Sequence, residues 1–145
     1  MALAMREATD CHKTIGVMTQ SGCFYRWHDF MKEHAPNMFD PVKTKKKEIR
    51  FINGGKILLH SVTRCGVCSS RFDIFIIDNV AIFKISRDSI HTIIPSMANE
   101  SKFVVTSTGD TGDFEFERYG FHTYRVNEES KHYKRKIKHL IKNLT

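Results

Sequence analysis

The 145-residue chain fits one ordinary domain, long enough to bury a core. Its 41% hydrophobic and 11% aromatic residues exclude a disordered chain, and no apolar run approaches the roughly 20 residues that span a bilayer. The net charge of +7 is local: it gathers in the last fifteen residues, "KHYKRKIKHLIKNLT", and in "KTKKKEIR", Lys43–Arg50.

In chain order, "MALAMREATD" has no extended apolar segment of the secretory kind, so a soluble intracellular protein is expected. Residues 1–12 are compatible with a helix. Thr14–Thr19 is a short β-favouring run that ends in Gln-Ser-Gly, which reads as a strand and a turn. Phe24, Trp27, Phe30 and Met31 then recur at helical spacing up to Pro36, predicting a helix whose aromatic stripe is core.

Two apolar runs flank Asn53-Gly54-Gly55. Asn-Gly supplies the positive φ angles of a tight primed turn, so Glu48–Ile52 and Lys56–Val62 are expected to pair as a β-hairpin. "TRCGVCSSR" follows as a polar loop. Phe72–Ile77 is apolar at nearly every position, the mark of a strand covered on both faces in a parallel sheet. "SRDSIHTIIPSM" reads as a short helix or turn near Pro95, Lys102–Thr106 as a second buried strand, and Phe121–Val126 as a last one. In the tail, Tyr133, Ile137, Leu140, Ile141 and Leu144 share one face of a helix whose other faces are basic. The order β–α–ββ–β–α–β–β–α predicts an α/β fold with a partly parallel sheet.

The residues that bear chemistry are few. "CGVC" is a lone CxxC; Cys65 and Cys68 make half a zinc site, needing Cys23 and His28 or Cys11 and His12 to complete it, or they are plain reduced thiols. The eight histidines form no HExxH and no Ser-His-Asp order. "TSTGDTGD" (Thr106–Asp113) lacks the ligand count of an EF-hand loop. Asp78 ends the apolar strand, either as a magnesium ligand or as a turn carboxylate. Lys131, Lys134, Arg135, Lys136, Lys138 and Lys142 in the tail, with Lys45, Lys46 and Lys47, suit nucleic-acid phosphates or a solvated lysine-rich face.

Taken in order, "KTIGVMTQS" with its aromatic helix, "IRFINGGKI", "RCG" before "FDIFIIDN", and "SKFVVTSTGDTGDFEFERYGFHTYRV" resemble the ATPase domain of phage large terminase subunits. The likeness covers roughly residues 13–127 and begins just beyond that family's phosphate-binding loop; superfamily 2 helicases share the core. It implies a partial RecA-like, mainly parallel mixed sheet flanked by helices, with a β-hairpin insertion; together with the tail helix read above, the chain divides into a core over residues 1–130 and a basic C-terminal helix over residues 131–145. It implies that Asp78-Asn79 stands where the Walker B Asp-Glu would be, and that Thr106, Ser107 and Thr108 belong to a coupling segment.

The departures are as specific. There is no G-x-x-x-x-G-K-[ST] to cradle phosphates, and the amide of Asn79 cannot accept a proton from an attacking water. Phosphoryl transfer is mostly positioning and electrostatics, so loss of both parts removes hydrolysis. The expectation is a degenerate, non-hydrolysing phage protein in the host cytoplasm, acting in DNA packaging or DNA metabolism. Its partners would be DNA, a terminase or portal or other motor protein, and no membrane. No cofactor is expected, with Mg or ATP bound only if another chain completes the site. The alternatives are a fragment of a split terminase or helicase ATPase and a small zinc-stabilised nucleic-acid-binding protein.

Overall fold

Strand-forming runs that are apolar on both faces must be covered on both, and the architecture follows from that requirement. The computed structural model describes residues 1–61, 71–78 and 97–106, with backbone only for 97–100. All of them belong to one compact unit, Met1–Gly112. In chain order they form α1 (Ala2–Cys11), β1 (Thr14–Thr19), a 3-10 turn (Ser21–Cys23), α2 (Phe24–His34), β2 (Glu48–Arg50), β3 (Lys56–Ser61), β4 (Phe72–Ile77) and β5 (Met97–Val105). The sheet order is β2-β3-β1-β4-β5. Only β2 runs antiparallel; β3, β1, β4 and β5 are parallel neighbours. The protein is α/β, a five-stranded mixed and mainly parallel sheet flanked by helices, consistent with a partial RecA-like fold.

Register explains the core. Ile49, Ile57, Ile15 and Ile74 lie side by side across four strands on one face, and each is almost fully buried. Leu59, Val17 and Ile76 form the next row of that face. The opposite face carries Leu58, Gly16, Phe75 and Phe103 in one row. Here the rings of Phe72 and Phe75 meet edge to face at 5.3 Å between centroids, and Phe103 stacks on Phe75 at 5.8 Å. Gly16 makes room for them: a Cβ there would stand 2.5 Å from the Phe75 ring.

The strand β1 matches the expected Thr14–Thr19, and β4 the expected Phe72–Ile77. In α2, Phe24, Trp27 and Met31 are buried, while Phe30 is half-buried against His34 at 4.3 Å. The helix stops at His34 because Ala35 precedes Pro36, whose ring disfavours helical geometry one residue earlier.

Two expectations are corrected. The fifth strand starts at Met97 rather than Lys102, and Thr106 lies just beyond it. The turn between β2 and β3 is longer than a primed two-residue turn: the ladder closes at Arg50 and Lys56, and only Gly54 has positive φ, 95°. Asn53 uses its side chain instead. Its Oδ1 accepts from the Gly55 N–H at 3.0 Å, and its amide donates to the carbonyls of Ala8 and Thr9 at the end of α1. Turn and helix end are therefore one structure.

The outer edge of β2 is sealed by the segment before it. Asp40 N–H donates to Arg50 O at 2.9 Å, Ile52 N–H to Met38 O at 2.8 Å, and Arg50 N–H to the Thr44 hydroxyl at 3.0 Å. Covering an edge in this way removes a template for unwanted strand pairing.

Candidate functional site

In open α/β sheets, ligands bind outside the carboxyl ends of the parallel strands. Three side chains from three neighbouring strands meet at that end here. Asp78 follows β4, and its N–H donates to Met18 O at 2.9 Å, which extends the β1–β4 pairing past the end of the strand. Thr106 follows β5 and is held likewise, N–H to Ile77 O at 2.9 Å. Thr19 is the last residue of β1, and 3% of its surface is exposed.

The Thr19 hydroxyl lies 3.5 Å from Asp78 Oδ2, and the Thr106 hydroxyl 3.3 Å from Oδ1. Each oxygen of the carboxylate thus faces one hydroxyl, through contacts at the long limit of hydrogen bonding. The start of α1 shares this end of the sheet: burial pushes the Met1 amine below its ordinary pKa, and the Asp78 carboxylate acts in the opposite direction.

Asp78 and Thr106, both singled out in the sequence, are brought together. Thr19 was missed: it ends the predicted strand Thr14–Thr19, and only the register of β1 beside β4 sets that end level with Ile77 and Asp78. Lys45, Lys46 and Lys47 are all exposed on the loop entering β2. Because β2 is antiparallel, that loop also lies at the carboxyl end of β3, where Leu59 N–H donates to Lys47 O at 2.8 Å.

Asn79, Ser107, Thr108, Cys65, Cys68, Arg64 and the basic residues Lys131, Lys134, Arg135, Lys136, Lys138 and Lys142 lie outside the described residues. So do the strand expected at Phe121–Val126 and the helix expected over 131–145. The cysteines and histidines offered as further zinc ligands are in different settings. Cys11 is exposed and Cys23 half-buried, both as free thiols, while His12 Nδ1 pairs with Asn53 O and His28 Nε2 with Lys46 O, each at 3.0 Å. Among the described residues, no three His, Cys, Asp or Glu side chains gather as a metal-binding group. No helix among them is long and apolar enough to cross a membrane.

As donors, one carboxylate and two hydroxyls are all hard oxygen ligands. Such a set suits Mg2+, which keeps several waters and takes further oxygens from phosphates when only one or two carboxylates are present. Fold and site together define the class: an α/β protein with a small polar cluster at the carboxyl end of a mainly parallel sheet. No family model matches the chain, and no curated protein matches it.

Proposed function

We propose that the chain is a non-hydrolysing, terminase-like phage protein, a degenerate ATPase that acts in DNA packaging or DNA metabolism by binding DNA or a motor subunit. One observation carries the reading. Asp78 sits at the carboxyl end of a strand flanked by β1 and β5, with Thr19 and Thr106 on its two oxygens. A RecA-like sheet has its metal-binding strand between those two neighbours.

In this reading Asp78 would hold a magnesium ion through water, and the ion would supply charge neutralisation for a bound phosphate. Thr19 and Thr106 each face one oxygen of the carboxylate through a long contact. The sequence provides neither the phosphate loop nor a carboxylate base beside Asp78, so the chain binds without turnover. The purified protein is expected to release no phosphate from ATP with Mg2+, and to co-elute at micromolar concentration with its cognate terminase or portal, or to shift duplex DNA. Turnover by the isolated chain overturns the reading; so does failure to bind DNA and motor proteins alike.

A second reading, completion of the site by a phosphate loop from elsewhere, is favoured by the position of α1. Its start lies within reach of the charge of Asp78, at the sheet end where a helix N-terminus favours anions. ATP hydrolysis that appears only when a partner carrying such a loop is added would support completion over a purely binding role.

A further inference from the structure

Three consecutive lysines on a loop are usually mobile charges in water. The loop before β2 differs in two respects. Its backbone is fixed: Lys45 and Glu48 exchange backbone hydrogen bonds at 2.7 and 2.9 Å, the Lys46 carbonyl is bonded by the His28 ring at 3.0 Å, and the Lys47 carbonyl by Leu59 N–H at 2.8 Å. Two acids that flank the loop in sequence, Asp40 and Glu48, are also already engaged. Asp40 accepts from the N–H groups of Val42 and Lys43, each at 3.1 Å, and faces the Lys43 ammonium at 3.6 Å. Glu48 is paired with Arg50 at 2.6 Å. Lys45, Lys46 and Lys47 are exposed, and none takes part in an ion pair among the described residues.

We infer that Lys45–Lys47 is a contact for the phosphate backbone of nucleic acid. The inference rests on the nucleic-acid half of the reading above and names the surface that would perform it. A held backbone lowers the ordering cost of presenting three charges together. Lysine binds phosphate as a point charge, without the bidentate geometry that arginine brings to phosphates and carboxylates alike. Protein interfaces are depleted in lysine and need an apolar core; the exposed apolar residue on this loop is Val42 alone. The loop also lies at the same sheet end as Asp78. Three strand spacings separate β2 from β4, roughly 14 Å at ~4.8 Å each, a span of about four base pairs.

The test is the salt dependence of binding to a fluorescent 20-base-pair duplex by the full chain, its Lys45→Gln/Lys46→Gln/Lys47→Gln variant, and a variant with arginine at the same three positions. Three phosphate contacts contribute about 2.7 to the log–log slope. The glutamine variant should therefore lose about 40-fold of the affinity ratio between 50 and 200 mM salt, with unchanged melting temperature, while the arginine variant keeps the wild-type slope. An unchanged slope in the glutamine variant overturns the loop assignment and leaves the reading centred on Asp78 standing. Absence of duplex binding by the wild-type chain overturns the assignment as well. Polyglutamate that competes as well as DNA at equal charge overturns the choice of partner in favour of an acidic protein.

Discussion

The two ends of the parallel sheet are built on different terms. At the amino end, the close of α1, the β2–β3 turn and the starts of β1 and β4 are tied by hydrogen bonds that involve backbone groups. Lys56 N–H reaches Lys13 O at 3.2 Å, Thr14 N–H donates to Asp73 Oδ2 at 2.8 Å, and Asn53 joins turn to helix. Glu7, a buried residue of α1, is held by Lys13 and Arg6. At the carboxyl end, Asp78 meets its two hydroxyls only at 3.3 and 3.5 Å. Polar groups at one end are spent on holding the fold. Those at the other are positioned by backbone bonds, with weak side-chain contacts that a ligand can replace at small cost. Substitutions at the amino end should therefore cost stability, and substitutions at the carboxyl end should cost binding.

The largest effect is expected at Gly55. A Cβ added there would stand 1.9 Å from the Ala8 carbonyl oxygen, a backbone atom that moves only if α1 moves. Gly55→Ala should cost about 3 kcal/mol or more, read as a lowered urea midpoint, since overpacking against backbone has no cheap relaxation. A midpoint within experimental error of wild type would show that the amino end is not closed as described. Gly16→Ala meets side chains instead, the rings of Phe75 and Phe72, and should cost about 1–3 kcal/mol.

Asn53→Ala comes next. It removes the amide that satisfies the Ala8 and Thr9 carbonyls and the Oδ1 that accepts from Gly55 N–H. A loss of about 1–2 kcal/mol is expected. Asn53→Asp restores the acceptor but not the donor, so it should recover only part of the loss; full recovery would assign the effect to the turn rather than to the helix end.

Asn53 also shows where sequence reading succeeded and where it fell short. Asn-Gly correctly marks a hairpin, because local turn chemistry is written in neighbouring residues. Its use as a helix cap depends on Ala8 and Thr9, more than forty positions away, and no local pattern carries that. The strands β1 and β4 were legible because continuous apolarity needs only a short window. The early start of β5 was not, since "MANESK" is polar and its pairing with β4 is shifted between Phe72 and Ile74. Of the candidate site, Asp78 stood out as a charge ending an apolar run. Thr19 needed the register of β1 beside β4 before its hydroxyl had meaning.

Acid separates two further groups. His60, on β3, has its Nε2 buried without a hydrogen-bond partner and packs against Phe72 and Phe75. Desolvation by burial, with a smaller push from Lys47, lowers its pKa from 6.5. The unfolded chain then binds the proton first, so stability falls as pH drops below 6.5 toward the folded value. His60→Phe should remove that slope. Glu7 is shifted down from 4.5, chiefly by its hydrogen bond from Lys13 and against the cost of burial. Its contribution is complete above 4.5 and is lost as pH falls through the lower folded value, and Glu7→Gln should abolish this later phase. Thermal melts across both ranges check the two windows independently, and a His60→Phe profile identical to wild type would exclude the first.

The smallest stability effect is expected at Asp78, and its smallness is informative. Asp78→Asn keeps the backbone N–H bond to Met18 O and the size of the side chain; it alters two long contacts to hydroxyls and removes the charge that acts on the Met1 amine. Unfolding should shift by no more than about 0.5 kcal/mol, the range of substitutions away from packed or fully bonded groups. The same change removes the negative charge on which a hydrated magnesium ion would depend, so any Mg2+-dependent binding of phosphate ligands should be lost. Thr19→Val provides the complement: it keeps the shape of a buried side chain and leaves Asp78 charged and oriented through Thr106 alone, so Mg2+-dependent binding should weaken without vanishing. Were Asp78→Asn to destabilise the fold as strongly as Asn53→Ala, the carboxylate would be a structural clasp like those at the amino end. The proposed difference between the two ends would then disappear.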